Sequence, residues 1–273
     1  MSNNLSKPGT QQDIVWIQHW IHKHTGIWFP ETKLPILEQR LISMCMKHGF
    51  KDFADLIAKI ESSSGYEIIN EMVDVATTNH THFYRETVTI EYFTNNIANN
   101  YMDSSLRVWS AASSSGEELY TIILHLIEKY GFEKVKRHCS FLGTDLNRKV
   151  LEKAEQGLYP HMRLEGIPQK LIDQWFSPAG LDLWSLDQVI CKMCMFRTLN
   201  LLAPRWPFTK KFHVIFLRNV LYYFDTATQE AVLRKLYDVV EPGGSLITSV
   251  TESTSKLDVP WVRVSSGIYT KPR

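Results

Sequence analysis

Residues 106–118 read LRVWSAASSSGEE, and this stretch decides the fold. Leu106 to Ala112 is a short apolar run of the kind that forms a buried strand, and Gly116 to Lys129 then repeats apolar residues at helical spacing. The connection, Ala112-Ser113-Ser114-Ser115-Gly116, consists of small residues that let the backbone approach a ligand closely, with Gly116 relieving the turn into the helix. In an open α/β sheet, ligands bind outside the carboxyl ends of the strands, so the residues just after each strand carry the chemistry. A phosphate-binding loop would place Lys and Ser or Thr after its glycine; Glu117 and Glu118 stand there instead. Carboxylates at a helix N-terminus repel phosphate and attract an ammonium or sulfonium. The loop therefore points toward a cationic cofactor such as S-adenosylmethionine, although the two glutamates could equally do no more than cap the helix dipole.

The same grammar continues downstream. CSFLGTD (139–145) reads as a second strand followed by a helix over 147–156, and FHVIFLRN (212–219) as a third followed by a helix from about Thr226 to Val240. The Glu241-Pro242-Gly243-Gly244 turn leads into a strand SLITSV, and GIYTK (267–271) is expected as an edge strand. Strands alternating with helices imply parallel pairing and a doubly wound α/β sheet. Residues 160–198 break the pattern with short strand-like pieces and are expected to form an insertion, a small β-subdomain. Upstream the chain reads as all helix: Ile14, Ile17, Trp20 and Ile21 share one face, as do Leu34, Leu37, Leu41, Met44 and Cys45, then Phe53, Leu56, Ile57 and Ile60, with a fourth helix over Ile68 to Ala76. The reading is an all-α domain over 1–85 and an α/β domain over 86–273.

Two further strand ends carry polar groups. Asp145 closes the second strand, where an acid can accept both ribose hydroxyls, although it could instead cap the following helix. Arg218 and Asn219 close the third, where a buried polar pair points to a ligand. The 273 residues carry 30 Lys+Arg against 29 Asp+Glu, a balance that argues against a dedicated nucleic-acid binder. No window approaches a membrane span, and the polar start MSNNLSKPGTQQD carries no secretory leader, so a cytoplasmic protein with free thiols is expected. Cys191 and Cys194 invite a zinc reading, but no second pair completes four ligands, and VICKMCMF reads as a strand, so no metal is expected.

Taken in order, HTGIWFPETKLPILEQRL, TTNHTHFYRE (77–86), VWSAASSSGEELY, GTDLNRKVLEKAEQGLY, IFLRNVLYYFD, EPGGSL and GIYTK run through nearly the whole chain. In these segments the chain resembles the CheR-type chemotaxis-receptor methyltransferases. The resemblance implies a Rossmann-like S-adenosylmethionine-dependent methyltransferase domain carrying a β-subdomain, behind a helical N-terminal domain. It also implies methylation of glutamate side chains on cytoplasmic chemoreceptor helices, with S-adenosylhomocysteine as product. By the same resemblance, Asn79, Thr81 and Arg85 touch the cofactor, with Arg85 reaching the methionine carboxylate. Glu117 meets the methionyl amine, Asp145 the ribose, Asn200 and Leu201 the adenine, and Arg218 and Asn219 the methyl end. A glutamate is already ionised at neutral pH, so the transfer needs no base. Tyr223, a neutral phenol, is the candidate to hold the acceptor carboxylate beside Arg218; aromatic packing is the other reading open for it. A monomer is expected.

Some positions depart from the family pattern. His213 replaces an aspartate, which is expected to cost a structural hydrogen bond; Leu119 replaces a proline; and Val250-Thr251-Glu252-Ser253 stands where a His-Ser-Glu run is usual. Through Arg85 the chain has eight basic and nine acidic residues, not the surplus that docking on acidic helices would favour, though Arg40, Lys47 and His48 share one helix face. A cofactor-binding regulatory module and a small-molecule methyltransferase therefore stand as alternatives.

Overall fold

Thr10 starts the first helix through a reciprocal cap. Its hydroxyl accepts the Asp13 N–H while the Asp13 carboxylate accepts the Thr10 N–H at 2.7 Å. The helix that follows, α1 (Gln11–Thr25), stops at Gly26 in the left-handed region, and α2 (Leu34–His48) stops at Gly49 in the same way. Asp52 caps α3 (Phe53–Glu61), and α4 (Tyr66–Ala76) completes the bundle. Ile17, Ile21, Leu37, Leu41, Phe53, Leu56 and Met72 form its core, on the faces that the sequence periodicity marks. This computed structural model describes residues 9–62, 66–77, 80–254 and 257–273. The chain divides into two units, residues 1–78 with 223–225, and residues 79–222 with 226–273.

The face shared by Arg40, Lys47 and His48 is not an open basic patch. Arg40 donates to the carbonyls of Val75 and Thr77 at the end of α4, and Lys47 and His48 both pair with Glu71. The periodicity places the three residues together correctly, but α4 supplies their partners. Tyr223 also belongs to this unit: it packs against the helical core, and its carbonyl accepts the Trp28 N–H at 3.2 Å.

The second unit begins with the segment 80–86, because Phe83 is fully buried there against Tyr159 and Phe176. The division thus falls before this segment rather than after Arg85. A short helix α5 (Thr87–Tyr92) leads to β1 (Leu106–Ser110), α6 (Glu117–Tyr130), α7 (Phe132–His138), β2 (Cys139–Asp145) and α8 (Arg148–Gln156). Then come β3 (Leu158–Pro160), α9 (Gln169–Trp175), β4 (Phe176–Pro178), β5 (Leu183–Leu186), α10 (Gln188–Cys191) and β6 (Cys194–Thr198). The chain closes with β7 (Phe212–Phe216), α11 (Thr226–Asp238), β8 (Val240–Ile247), β9 (Val262–Ser265) and β10 (Ile268–Thr270).

Seven strands order as β6-β2-β1-β7-β8-β10-β9. The first five run parallel, and β10 is antiparallel to both β8 and β9. A separate antiparallel sheet, β3-β5-β4, is the small subdomain.

Three expectations change here. The insertion ends near β5, because β6 pairs with β2 in the main sheet along Phe141–Asp145, and Cys191 closes a short helix rather than lying in a strand. GIYTK is an inner strand, with β9 outside it. The Glu241-to-Gly244 segment lies within β8 as an irregularity, not before it as a turn: Phe212 pairs with Val240 and Val214 already with Ser245.

Candidate cofactor site at the strand ends

The strand order reverses between β1 and β7. From β1 the chain works outward to β2 and β6, then returns to β7 on the other side of β1. A crevice at such a switch point is where open α/β sheets bind ligands. Four segments converge on it: the loop after β1, the end of β2, the turn after β7, and the stretch 80–86.

The loop after β1 needs its small residues. A side chain at Gly116, which adopts φ +93°, would meet Tyr120 and Ala154 at 2.9 Å, and one at Gly143 would meet Phe196 at 2.5 Å and Ser113 Oγ at 2.9 Å. Ser114 sits in the left-handed region at φ +49° and is held by a 2.9 Å hydrogen bond from its N–H to Asp145 Oδ2. Asp145 Oδ1 accepts the Asn147 N–H at 3.0 Å, while Asn147 itself caps α8, so Asp145 is not the helix cap. Burial pushes the Asp145 carboxyl up. Each oxygen, having accepted one amide, keeps a lone pair for a ligand hydroxyl.

Glu117 is almost fully buried and its carboxyl is raised by that burial. Ser115 Oγ donates to Oε2 at 2.7 Å, and Arg163 Nη1 lies 3.6 Å from Oε1. The hydroxyls of Ser113 and Ser114 are buried and have no hydrogen-bond partner among the described residues. Two acids flanking two unsatisfied hydroxyls suit a ligand that joins an ammonium-bearing amino acid to a ribose. S-Adenosylmethionine is such a ligand, and these residues fit it.

The turn after β7 is held from several sides. Arg218 is buried, its Nη2 donating to the carbonyls of Arg85 and Glu86 at 2.8 and 2.9 Å and its Nη1 to Glu118 Oε2 at 3.0 Å. Its two Nη groups thus fix the 80–86 segment to α6, while its buried Nε has no hydrogen-bond partner among the described residues. Asn219, at φ +58°, donates through Nδ2 to Glu86 Oε1, and Ser249 Oγ donates to Glu86 Oε2 at 2.6 Å. Burial opposes ionisation of Glu86, but the hydrogen bonds from Ser249 and Asn219 and the charge of Arg218 outweigh it and hold the carboxyl low. Glu252 gathers four backbone N–H groups, from Asn219 and Ser249 on Oε2 and from Val220 and Leu221 on Oε1. Burial still raises its carboxyl against the pull of these amides.

Tyr84, Glu86, Ser114 and Asn219 are the non-glycine residues with positive φ among those described, two in the 80–86 segment and two just after β1 and β7. Such conformations cost about 1–2 kcal/mol each and persist where surrounding bonds over-determine them. Each has its restraint: Tyr84 donates its N–H to Thr121 Oγ1, and the other three use the bonds given above.

The remaining expected residues fall as follows. Thr81 is half-buried in the segment ahead of Phe83, and Arg85 donates to the His80 carbonyl at 2.7 Å. Asn79 lies outside the described residues. Asn200 and Leu201 follow β6, whose Thr198 pairs with Asp145, so they stand beside the second strand end. There Asn200 Oδ1 accepts the Leu202 N–H, and Lys235 donates to the carbonyls of Leu201 and Ala203. Tyr223 is counted with the helical unit, so packing, the second reading open for it, describes its place. Glu86, Glu252 and Arg163 escaped the sequence reading as site residues, and Glu118 was read with Glu117 only as an acid facing a cation or capping the helix. The Arg-Glu end of the 77–86 segment was a visible signal for Glu86.

The departures from the family pattern do not break the frame. His213 Nδ1 accepts the Arg107 N–H at 2.9 Å, so the residue that replaces the aspartate still makes a hydrogen bond from β7 to β1. Burial and then Arg107 lower its pKa, consistent with an unprotonated acceptor nitrogen. Leu119 is buried in the core. Glu252 survives in the altered Val-Thr-Glu run and organises the turn after β7.

Residues 12–77 match the CheR methyltransferase all-alpha domain, and residues 79–267 match the CheR methyltransferase SAM binding domain. A chemotaxis protein methyltransferase of Borreliella burgdorferi is 32% identical over 92% of this chain and 91% of its own. One from Escherichia coli is 30% identical, covering 89% and 84%. A probable chemotaxis protein methyltransferase of Rhizobium etli is 31% identical, covering 86% and 90%. Two matched domains in register with the two units, and relatives spanning most of their own length, place this chain in the CheR methyltransferase family, as an S-adenosylmethionine-dependent methyltransferase of chemotaxis.

Proposed function

We propose that the acceptor is the side-chain carboxylate of glutamates on the helices of a chemoreceptor-like protein, and that the product is a glutamate methyl ester. The observation that carries this reading is that the carboxylates around the end of β7 are engaged. Glu86 holds Asn219 and Ser249, Glu118 holds Ser110 and Arg218, and Glu252 holds four amides. A site whose acids are committed to architecture suits a nucleophile that arrives ionised, as a glutamate does with a pKa near ~4.3.

Bound S-adenosylmethionine supplies an electrophilic methyl group on a sulfonium. Glu117 would hold the ammonium, Asp145 the ribose hydroxyls, and Asn200 with Leu201 the adenine. Thr81 and Arg85 approach from the 80–86 segment, which Arg218 ties to the end of β7. With the cofactor bound, its methyl group would pass from sulfur to an acceptor carboxylate oxygen, the sulfur leaving as the thioether of S-adenosylhomocysteine, and the residues here would have no proton to remove. Charge is neutralised in this step, so exclusion of water from the acceptor favours it. The ester removes one negative charge from the receptor.

Receptor recognition by a basic face of α2 finds no support, since Arg40, Lys47 and His48 are taken by α4. No helix among the described residues is long and apolar enough to cross a membrane. The regulatory alternative rested on His213 and Val250; with the His213 bond made and Glu252 in place, nothing specific favours it.

The test is incorporation of labelled methyl groups into receptor-bearing membranes. Label released as methanol by mild base is expected, and is lost in an Asp145→Asn control. Base-stable label would instead mark a nitrogen acceptor and overturn the proposal.

A further inference from the structure

We propose that Arg163 is a second cation for the cofactor, binding the α-carboxylate of its methionyl part together with Arg85. The inference rests on reading Glu117 as the partner of the cofactor's ammonium. Arg163 belongs to the single 3-10 turn His161–Leu164 that follows β3, in the small subdomain. Its backbone carbonyl accepts the Phe83 N–H at 3.3 Å, so this turn also holds the segment carrying Thr81 and Arg85.

The side chain makes a loose ion pair. Its Nη1 stands 3.6 Å from Glu117 Oε1, beyond the ~2.7–2.9 Å of a charge-assisted hydrogen bond, while Ser115 Oγ holds the other oxygen at 2.7 Å. Oε1 is therefore the oxygen a ligand ammonium can take. An α-amino acid carries its carboxylate on the same carbon as its ammonium, so a ligand that displaces the guanidinium from Glu117 presents it with a new anion close by. Charge then alternates: Glu117, ammonium, carboxylate, Arg163. The buried Glu117 exchanges one cation for another and never stands alone, which matters because an unpaired buried charge is costly.

Arg163 is free to make this exchange where Arg218 is not. Its side chain is one-third exposed, against 2% for Arg218, whose two Nη groups are fixed on two carbonyls and Glu118. Arg85 and Arg163 also flank one stretch of chain. After burial, their two charges are the next largest causes holding the His82 imidazole below its ordinary pKa, while Glu165 and Glu86 act in the opposite sense. Both guanidiniums thus lie near His82, Arg85 bonded to the His80 carbonyl within the 80–86 segment and Arg163 reaching from the small subdomain to Glu117.

The experiment is calorimetric titration of the full chain, wild type, Arg163→Gln and Arg163→Lys, with S-adenosylhomocysteine and with its decarboxylated analogue, which keeps the amine and nucleoside. Losing a charge-assisted contact should weaken S-adenosylhomocysteine binding to R163Q about 10- to 100-fold. Affinity for the decarboxylated analogue should change by less than about threefold on the same reasoning, and R163K should fall between. Equal weakening for both ligands would mean that Arg163 only supports the fold, and no weakening for either would mean that it does not reach the site; both overturn the proposal. Failure of the wild type to bind S-adenosylhomocysteine would overturn the cofactor site itself, and the inference with it.

Discussion

Glu252→Gln probes the turn that carries Arg218 and Asn219. In the wild type, Oε1 accepts the N–H groups of Val220 and Leu221 at 2.7 and 2.8 Å, and Oε2 those of Asn219 and Ser249 at 2.7 and 3.2 Å. Glutamine fills the same space with one oxygen and one NH2. The oxygen can serve one pair of amides, and the NH2 then faces the other pair, donor against donor. Hydrogen bonds to a charged group contribute about 1.5–3 kcal/mol, so two lost bonds suggest roughly 3–6 kcal/mol. The buried charge is relieved at the same time, which offsets part of this loss, as the raised Glu252 carboxyl indicates. A net cost of about 2–4 kcal/mol corresponds to a fall in Tm of roughly 5–15 °C for a domain of this size. Asn219 also loses the bond that holds it in the left-handed region, a conformation costing about 1 kcal/mol, so affinity for S-adenosylhomocysteine should drop about 3- to 10-fold. Thermal unfolding by circular dichroism, with and without the ligand, reads both effects. A variant with unchanged Tm and unchanged ligand affinity would refute the reasoning.

Three other perturbations follow from the same geometry. Asp145→Asn keeps one oxygen for two amides and the ribose, so S-adenosylhomocysteine affinity by calorimetry should fall about tenfold or more, and an unchanged affinity would remove Asp145 from the site. His213 has a pKa below its ordinary value, so the unfolded chain takes the proton first. Its stabilising contribution is full above about pH 6.5 and is lost as pH falls below that value, so the Tm of wild type relative to His213→Asn should decline from pH 7 to 5; parallel curves would contradict this. Arg40→Ala removes donors to the end of α4 and should cost about 1–2 kcal/mol, seen as a lower urea midpoint, without touching cofactor affinity. Loss of affinity with unaltered stability would reverse that assignment.

How far the sequence could be read depended on the range of the interactions. The loop after β1 was legible because its strand, small residues and glycine are contiguous, and the same holds for Asp145 at the end of β2 and for the apolar stripes of α1 to α4. VICKMCMF reads as a strand and overlaps β6, but its place at the edge of the main sheet was hidden, because pairing with β2 is not encoded in five local residues beside the short strands of the subdomain. The order of β10 and β9 depends on pairing with β8, which local pattern does not encode. On α2, spacing put Arg40, Lys47 and His48 on one face, yet only the packing of α4 shows that Glu71 and two carbonyls occupy it. Tyr223 is read toward the site by adjacency to Arg218 and Asn219, and its packing against the helical core, the other reading open for it, is what only the fold shows. Glu252 and Arg163 meet their partners across long stretches of chain, the first bonding a turn about thirty residues upstream and the second a helix start on the far side of β2. Burial and four converging amides identify Glu252; nothing local to its sequence does.

The central claim is that S-adenosylmethionine binds across the ends of β1, β2 and β7. A crystal structure of the chain with S-adenosylhomocysteine tests it most directly. The account predicts the ribose hydroxyls on Asp145, the ammonium on Glu117 and the carboxylate between Arg85 and Arg163. A ligand bound without contact to Asp145 or Glu117 would contradict it.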